Sequence, residues 1–323
     1  MIIDIHSHIV ERTYLDELTG LWGLTAQSPA PGLTLLRKDG HTQAWYKDEM
    51  FDTGHRLREM DRKGIDMRVL SLSTPNVYGW EGGAQIRMAR AMNDATSTLC
   101  KAHPDRFSGL ASLPMGDVDA SLVELERAMG EPGMVGVMIG SNVAGLPMNH
   151  ERFEPIWERI NQLRLPVIEH PMFPANTDDM EEFELPLRLG FVFDTTLAAA
   201  RMIYGGIFER YPDFPYVMAH TGGALLTVIQ RLDNGYHMFP DCREHISKPP
   251  SHYAKRLFYD TASFFTPALK MALDYVGAGQ LLRGSDDPFI DADTTHVTGL
   301  GLPKEQESQI LGGNAARLLG LES

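Results

Sequence analysis

Eight short apolar, β-branched runs recur along the chain, each separated from the next by a longer segment with helical spacing. They are IIDIH (2–6), MRVLSLS (67–73), FSGLASL (107–113), MVGVMIG (134–140), LPVIEH (165–170), FPYVMAH (214–220), RLFYDTAS (256–263) and QLLRGSD (280–286). The intervening stretches HRLREMDRKG, ASLVELERAM and PALKMALDYVG repeat apolar residues every three or four positions, as helices laid on a sheet must. Strand–helix alternation predicts a parallel sheet, and eight units in one chain predict an α/β fold, the (β/α)₈ TIM barrel. A doubly wound open sheet is the competitor, but no Gly-rich dinucleotide fingerprint follows the first strand.

The 323 residues, 43% of them apolar, suffice for one large core, so residues 1–323 are expected to form a single barrel domain. Residues 11–50 exceed an ordinary βα connection of about 2–6 residues and are expected to lie over the barrel mouth. Residues 287–323 read as a loop with short closing helices. A net charge of -14 without a basic run argues against nucleic acid and anionic membranes as partners. No apolar stretch is long enough to span a bilayer, and Asp4 and His6 interrupt anything like a signal peptide. Cys100 and Cys242 are too few for a disulfide framework. A cytoplasmic protein is expected.

The polar residues at the strand ends carry the chemistry. On a strand, positions i and i+2 point the same way, so His6 and His8 project together. The fifth strand ends at His170, the sixth at His220 and the eighth at Asp286. A barrel gathers its strand ends on one rim, so five groups far apart in sequence meet there. Three imidazoles and a carboxylate suit one divalent ion, zinc or a similar metal. Singly, each has an ordinary alternative: a core histidine, or an Asp-Pro turn at 287–288. Four coincidences at four strand ends argue for one cause.

HSH on the first strand, EHP on the fifth, AHTGG on the sixth and GSDDPF on the eighth resemble the amidohydrolase superfamily. The likeness is nearest to its decarboxylase branch, which includes α-amino-β-carboxymuconate-ε-semialdehyde decarboxylase and γ-resorcylate decarboxylase. LREMDRKGIDMRVLS, RFSGLASLPM, GGIFERYP and GGNAARLLGL extend it over nearly the whole chain, most weakly across 11–50. The resemblance implies that His6, His8, His170 and Asp286 hold one metal, Zn²⁺ or Mn²⁺, and that His220 serves acid–base catalysis. The fourth strand, MVGVMIG, offers no lysine of the kind that bridges two metals in binuclear relatives. A homodimer is expected.

The resemblance also implies a metal-dependent non-oxidative decarboxylase acting on a small unsaturated or aromatic carboxylic acid, with His220 and Asp286 as catalytic groups. Lys47, Trp45, Arg231 and Phe289 are expected to bind the substrate. Family arginines are missing where the chain reads YKDEM and MFPD, leaving Lys47 and Arg231 as the nearest cations. Lysine lacks arginine's bidentate fork, so a less carboxylated or more apolar substrate is expected. The alternative is a hydrolase or hydratase using metal-activated water, since fold alone does not select the reaction. A metal-binding protein without turnover is a third class, against which the joint presence of His220 and Asp286 argues.

Overall fold

Strand β1 (Ile3–Ile9) is buried along its whole length, so it runs through the middle of the molecule from the start. It leads into helix α1 (Arg12–Trp22) and an antiparallel sheet of β2 (Thr25–Ala30), β3 (Leu33–Lys38) and β4 (His41–Lys47). Helix α2 (Thr53–Lys63) delivers β5 (Met67–Leu72), α3 (Gly82–Ala102) delivers β6 (Phe107–Ala111), and α4 (Val118–Met129) delivers β7 (Met134–Gly140). A ribbon of β8 (Asn142–Val143) and β9 (Leu146–Pro147) precedes α5 (Glu154–Leu163) and β10 (Val167–His170). Helix α6 (Phe191–Tyr204) leads towards β11 (Tyr216–Met218), which is followed by β12 (Phe258–Asp260) and β13 (Leu281–Leu282). This computed structural model describes residues 1–38, 41–180 and 182–321.

The eight-stranded sheet runs β1-β5-β6-β7-β10-β11-β12-β13, and its paired neighbours are parallel. It closes on itself: Ile5 N–H donates to the Arg283 carbonyl at 3.0 Å and His8 N–H to the Asp287 carbonyl at 2.7 Å. The expected barrel is therefore present, with strands shorter than the apolar runs suggested. Pro166 and Pro215 carry no N–H for a ladder, and Val167 and Tyr216 begin the strands after them. At the other end, His220 and Asp286 adopt positive φ of 52° and 59°, which takes them out of extended backbone.

The helices form where the sequence supplies a start, a stripe and a stop. Asp52 caps α2 by accepting the Gly54 N–H at 2.8 Å, and Gly64 ends it at φ 65°. Asp117 caps α4 through Ala120 N–H at 3.0 Å. On α5 the apolar stripe Ile156, Trp157 and Ile160 is wholly buried, and the Trp157 indole N–H donates to the Met148 carbonyl. Each such side chain contributes roughly 1.5–3 kcal/mol on burial. The C-terminal segment returns beneath the barrel, where the Asn314 amide donates to the carbonyls of Ala278 and Leu281 at 2.8 Å each.

The 11–50 excursion is α1 plus the β2–β4 sheet rather than irregular loop. Its last strand leans towards the mouth, and the Thr42 hydroxyl donates to Glu184, in the segment between β10 and α6, at 3.0 Å.

Candidate metal centre

His6 and His8 share the inward face of β1, and the turn after β13 brings Asp286 against them. His8 Nε2 lies 3.2 Å from His6 Nε2 and 3.1 Å from Asp286 Oδ1. The His6–Asp286 separation is 3.5 Å, and the His8 and His170 ring centroids are 4.7 Å apart. Ligand atoms of His6, His170, His220 and Asp286 all fall within 4.8 Å of one another. The five residues read from the strand ends do meet at one point.

Distance groups His220, and not His8, with His6, His170 and Asp286, whereas hydrogen bonding points the other way. His6 Nδ1 sits 2.5 Å from Asp260 Oδ2, His8 Nδ1 3.0 Å from the Ser71 hydroxyl, and His170 Nδ1 3.0 Å from the Pro171 carbonyl. Each of these partners fixes the proton on Nδ1 and frees Nε2 for a metal, the usual arrangement around ligating imidazoles. His220 Nδ1 is buried with no partner among the described residues, while its Nε2 stands 3.7 Å from Asp286 Oδ2. His6, His8, His170 and Asp286 therefore fit a single divalent ion, leaving His220 as the less tethered imidazole.

The buried groups of the cluster perturb one another strongly. Burial lowers the His6 imidazole, but the Asp260 carboxylate beside it, helped by Asp286 and Asp4, raises it to about 9. Burial and the neighbouring rings hold His170 well below its ordinary value, and burial also lowers His8. Burial opposes ionisation of Asp286, yet the facing His220 and His8 rings keep it well below the usual carboxylate range. So much opposed charge in a buried space suits a cation at its centre.

Asp260 is the residue that sequence reading missed. One oxygen accepts from His6, and the other accepts the backbone N–H groups of Thr221 at 2.9 Å and Ala262 at 3.0 Å. It thus orients a ligand and pins the turn that carries His220, whose residues 220–223 all have positive φ. Deeper in the barrel lies a buried ionic layer, also unforeseen. Asp4 pairs with Arg283 at 2.5 Å and with Arg68 at 3.7 Å, and Arg68 reaches Asp287 at 2.8 Å. Asp4 also accepts from Ser285, and the Arg56 guanidinium donates to the His8 carbonyl, so the layer braces both β1 and the Asp286 turn. Glu169 points away from the centre and accepts the Thr195 hydroxyl at 3.0 Å, the structural pairing expected of its strand parity.

Above the centre opens a cavity of about 520 Å³ whose wall includes His170, His220 and Asp286. Trp45 and Phe289 are on that wall, with ring centroids 5.4 Å apart, and Phe289 lies 5.6 Å from the His8 ring. Tyr14, Leu18 and Ala44 line the side formed by the excursion, and Leu187, Arg188 and Phe191 the side formed by the β10–α6 connection. Two of the expected substrate contacts lie off this wall. Lys47 is half exposed, stands 3.7 Å from Glu49 and does not line the cavity, because β4 ends there in a tight turn. Arg231 is exposed on the helix Leu225–Met238, away from the cavity wall.

Comparison with known proteins gives the same picture. A family model described as amidohydrolase matches residues 3–321. The 2-amino-3-carboxymuconate-6-semialdehyde decarboxylase of Dictyostelium discoideum is 30% identical, over 99% of this chain and 92% of its own. The γ-resorcylate decarboxylase of Rhizobium sp. is 29% identical, over 83% of this chain and 86% of its own. In fold the chain is similar to 5-carboxyvanillate decarboxylase from Novosphingobium aromaticivorans, solved with manganese and 4-hydroxy-3-methoxy-5-nitrobenzoic acid. That match has a TM-score of 0.83, 22% identity and coverage of 99% and 96% of the two chains.

Proposed function

The chain belongs to the amidohydrolase family, and from that premise we propose that it is a metal-dependent carboxy-lyase removing CO₂ non-oxidatively from a small aromatic or unsaturated carboxylic acid. The observation that carries the reading is the pairing of His220 with Asp286 at the floor of an aromatic-walled cavity, beside three imidazoles whose Nδ1 atoms are already engaged. Zinc is the ion we favour for a set of three nitrogens and one carboxylate, with manganese the alternative that a structural neighbour contains.

When bound, the ion supplies a Lewis acid that anchors and polarises a substrate oxygen. The chain's own residues supply the rest. Trp45, Phe289 and Phe191 present apolar faces that fit a flat ring and exclude water. His220 holds the proton that Asp286 passes to the carbon bearing the carboxylate. The C–C bond to the carboxylate then breaks, its electron pair stays with the newly protonated ring, and CO₂ leaves. One C–H bond replaces one C–C bond, so no oxidant or reductant is required.

Two further parts of the reading concern setting. Phe193 and Leu197, four apart on α6, are 49% and 58% exposed, and Leu189, 40% exposed, precedes them in the turn 186–190. We read this apolar stripe as the contact face of a homodimer. Among the described residues no helix is long and apolar enough to cross a membrane, and both cysteines are free thiols, which suits the cytoplasm.

The test is a CO₂-release assay on the metal-loaded protein with a panel of hydroxybenzoates and muconate-type acids. Release of CO₂ with matching loss of substrate carboxylate supports the reading. Formation of new carboxylate or hydroxyl groups instead would make the chain a hydrolase or hydratase.

A further inference from the structure

The cavity wall holds one side chain of permanent positive charge among the described residues, Arg188. It comes from the turn Pro186–Gly190, a wide i→i+5 turn that opens α6 and also sets Leu187 and Gly190 in place. Such turns within helices are frequent at functional sites. Arg188 N–H donates to the Glu184 carbonyl at 3.0 Å, but its guanidinium makes no hydrogen bond or ion pair with any described residue, unlike those of Arg201 and Arg210. The two fully charged groups that share the wall with it, Glu11 and Asp286, are both acidic.

Depth separates Arg188 from the reacting centre. Asp286 is only 16% exposed at the cavity floor, whereas Arg188 is exposed at the lip. A carboxylate placed for proton delivery by Asp286 and His220 therefore sits below Arg188. An acidic group elsewhere on the same molecule would meet acidic or apolar wall everywhere except at the guanidinium. Thr42 of β4 clasps Glu184 only four residues before Arg188, so the lip is tied to the Trp45 wall.

We propose that Arg188 is a specificity-determining residue that binds a second acidic group, so that the preferred substrates are dianionic ring acids. They would hold one carboxylate at the metal centre and the other at the lip. The inference rests on the decarboxylase reading for the role of the floor, but its test does not require turnover. It also revises the expectation of a less carboxylated substrate, because the missing family arginines have a counterpart on a different wall.

The experiment is calorimetric binding of benzoate, isophthalate and terephthalate to the metal-loaded protein, to Arg188→Leu and to Arg188→Lys, with metal content and thermal unfolding checked in each. The intact protein should bind at least one dicarboxylate about 10- to 100-fold more tightly than benzoate, as expected for a charge-assisted pair. Arg188→Leu should erase that preference while changing benzoate affinity by less than about twofold. Arg188→Lys should keep part of it, since lysine retains charge without the planar fork. No preference in the intact protein, or a preference that survives in Arg188→Leu, overturns the proposal. A dicarboxylate preference that depends on Arg188, found alongside a failed CO₂-release panel, would uphold it and count against decarboxylation alone.

Discussion

His6 and Asp260, 254 positions apart in the chain, meet at 2.5 Å and tie the first strand of the barrel to the seventh. The same carboxylate holds Thr221 N–H, so one side chain orients a metal-facing imidazole and fixes the turn bearing His220. Asp260→Asn keeps the shape and removes the charge. Metal affinity should fall about 10- to 100-fold, as for other partners of ligating histidines. A metal titration followed by competition with a chelator measures this, and excess metal should restore part of the turnover. Unchanged affinity would reduce Asp260 to a backbone brace.

The two ways of assigning His8 and His220 separate cleanly. His8→Ala removes an imidazole whose Nδ1 Ser71 has already engaged, and it should lose metal and activity together. His220→Ala should retain one ion per chain while turnover falls about 10²–10⁴-fold, the range for an acid–base group. Elemental analysis beside kinetics distinguishes the two outcomes. Loss of metal from the His220 variant would move that residue into the ligand set.

Trp45 and Lys47 sit two apart on β4 but differ in what they touch. Trp45 packs on Phe289 over the cavity, so Trp45→Ala should raise KM about tenfold or more by removing an aromatic wall. Lys47, paired with Glu49 at the surface, should tolerate Lys47→Met with kcat and KM within twofold. Steady-state kinetics on one substrate checks both, and a raised KM for Lys47→Met would place that side chain at the mouth in solution.

The exposed stripe on α6 makes an expectation about assembly. Leu197→Asp puts a charge at one end of the run Leu189, Phe193 and Leu197 and should convert dimers to monomers in sedimentation velocity. Thermal unfolding should change little, because Leu197 is 58% exposed and contributes little to the core of the single chain. A parent protein that is monomeric at micromolar concentration would remove the dimer reading.

The strand ends were legible because period-two geometry fixes which side chains share a face: His6 and His8 had to converge if β1 was a strand. Asp260 was not, since a lone aspartate in YDTAS has no partner within reach in sequence, and its meaning lies in a residue 254 positions away. Arg68 and Arg283 read as ordinary polar interruptions in apolar runs, and only closure of the barrel turns them towards Asp4. Lys47 and Arg231 were placed by proximity to family motifs, which says nothing about where a strand ends or which way a helix face looks. Arg188 falls in a connection without periodicity, where side-chain direction has no sequence signature.

The clasp between Thr42 and Glu184 joins two stretches of chain that lie outside the eight-stranded barrel. Everything that moves protons or holds the ion is anchored on strand ends, whereas, Phe289 apart, the groups that frame the incoming acid come largely from α1, β4, the turn before α6 and the start of α6. The catalytic machine and its template for shape are thus modular. A lineage, or an engineer, can recast residues 12–47 and 182–190 as a cassette and alter which acid is admitted while inheriting the chemistry intact.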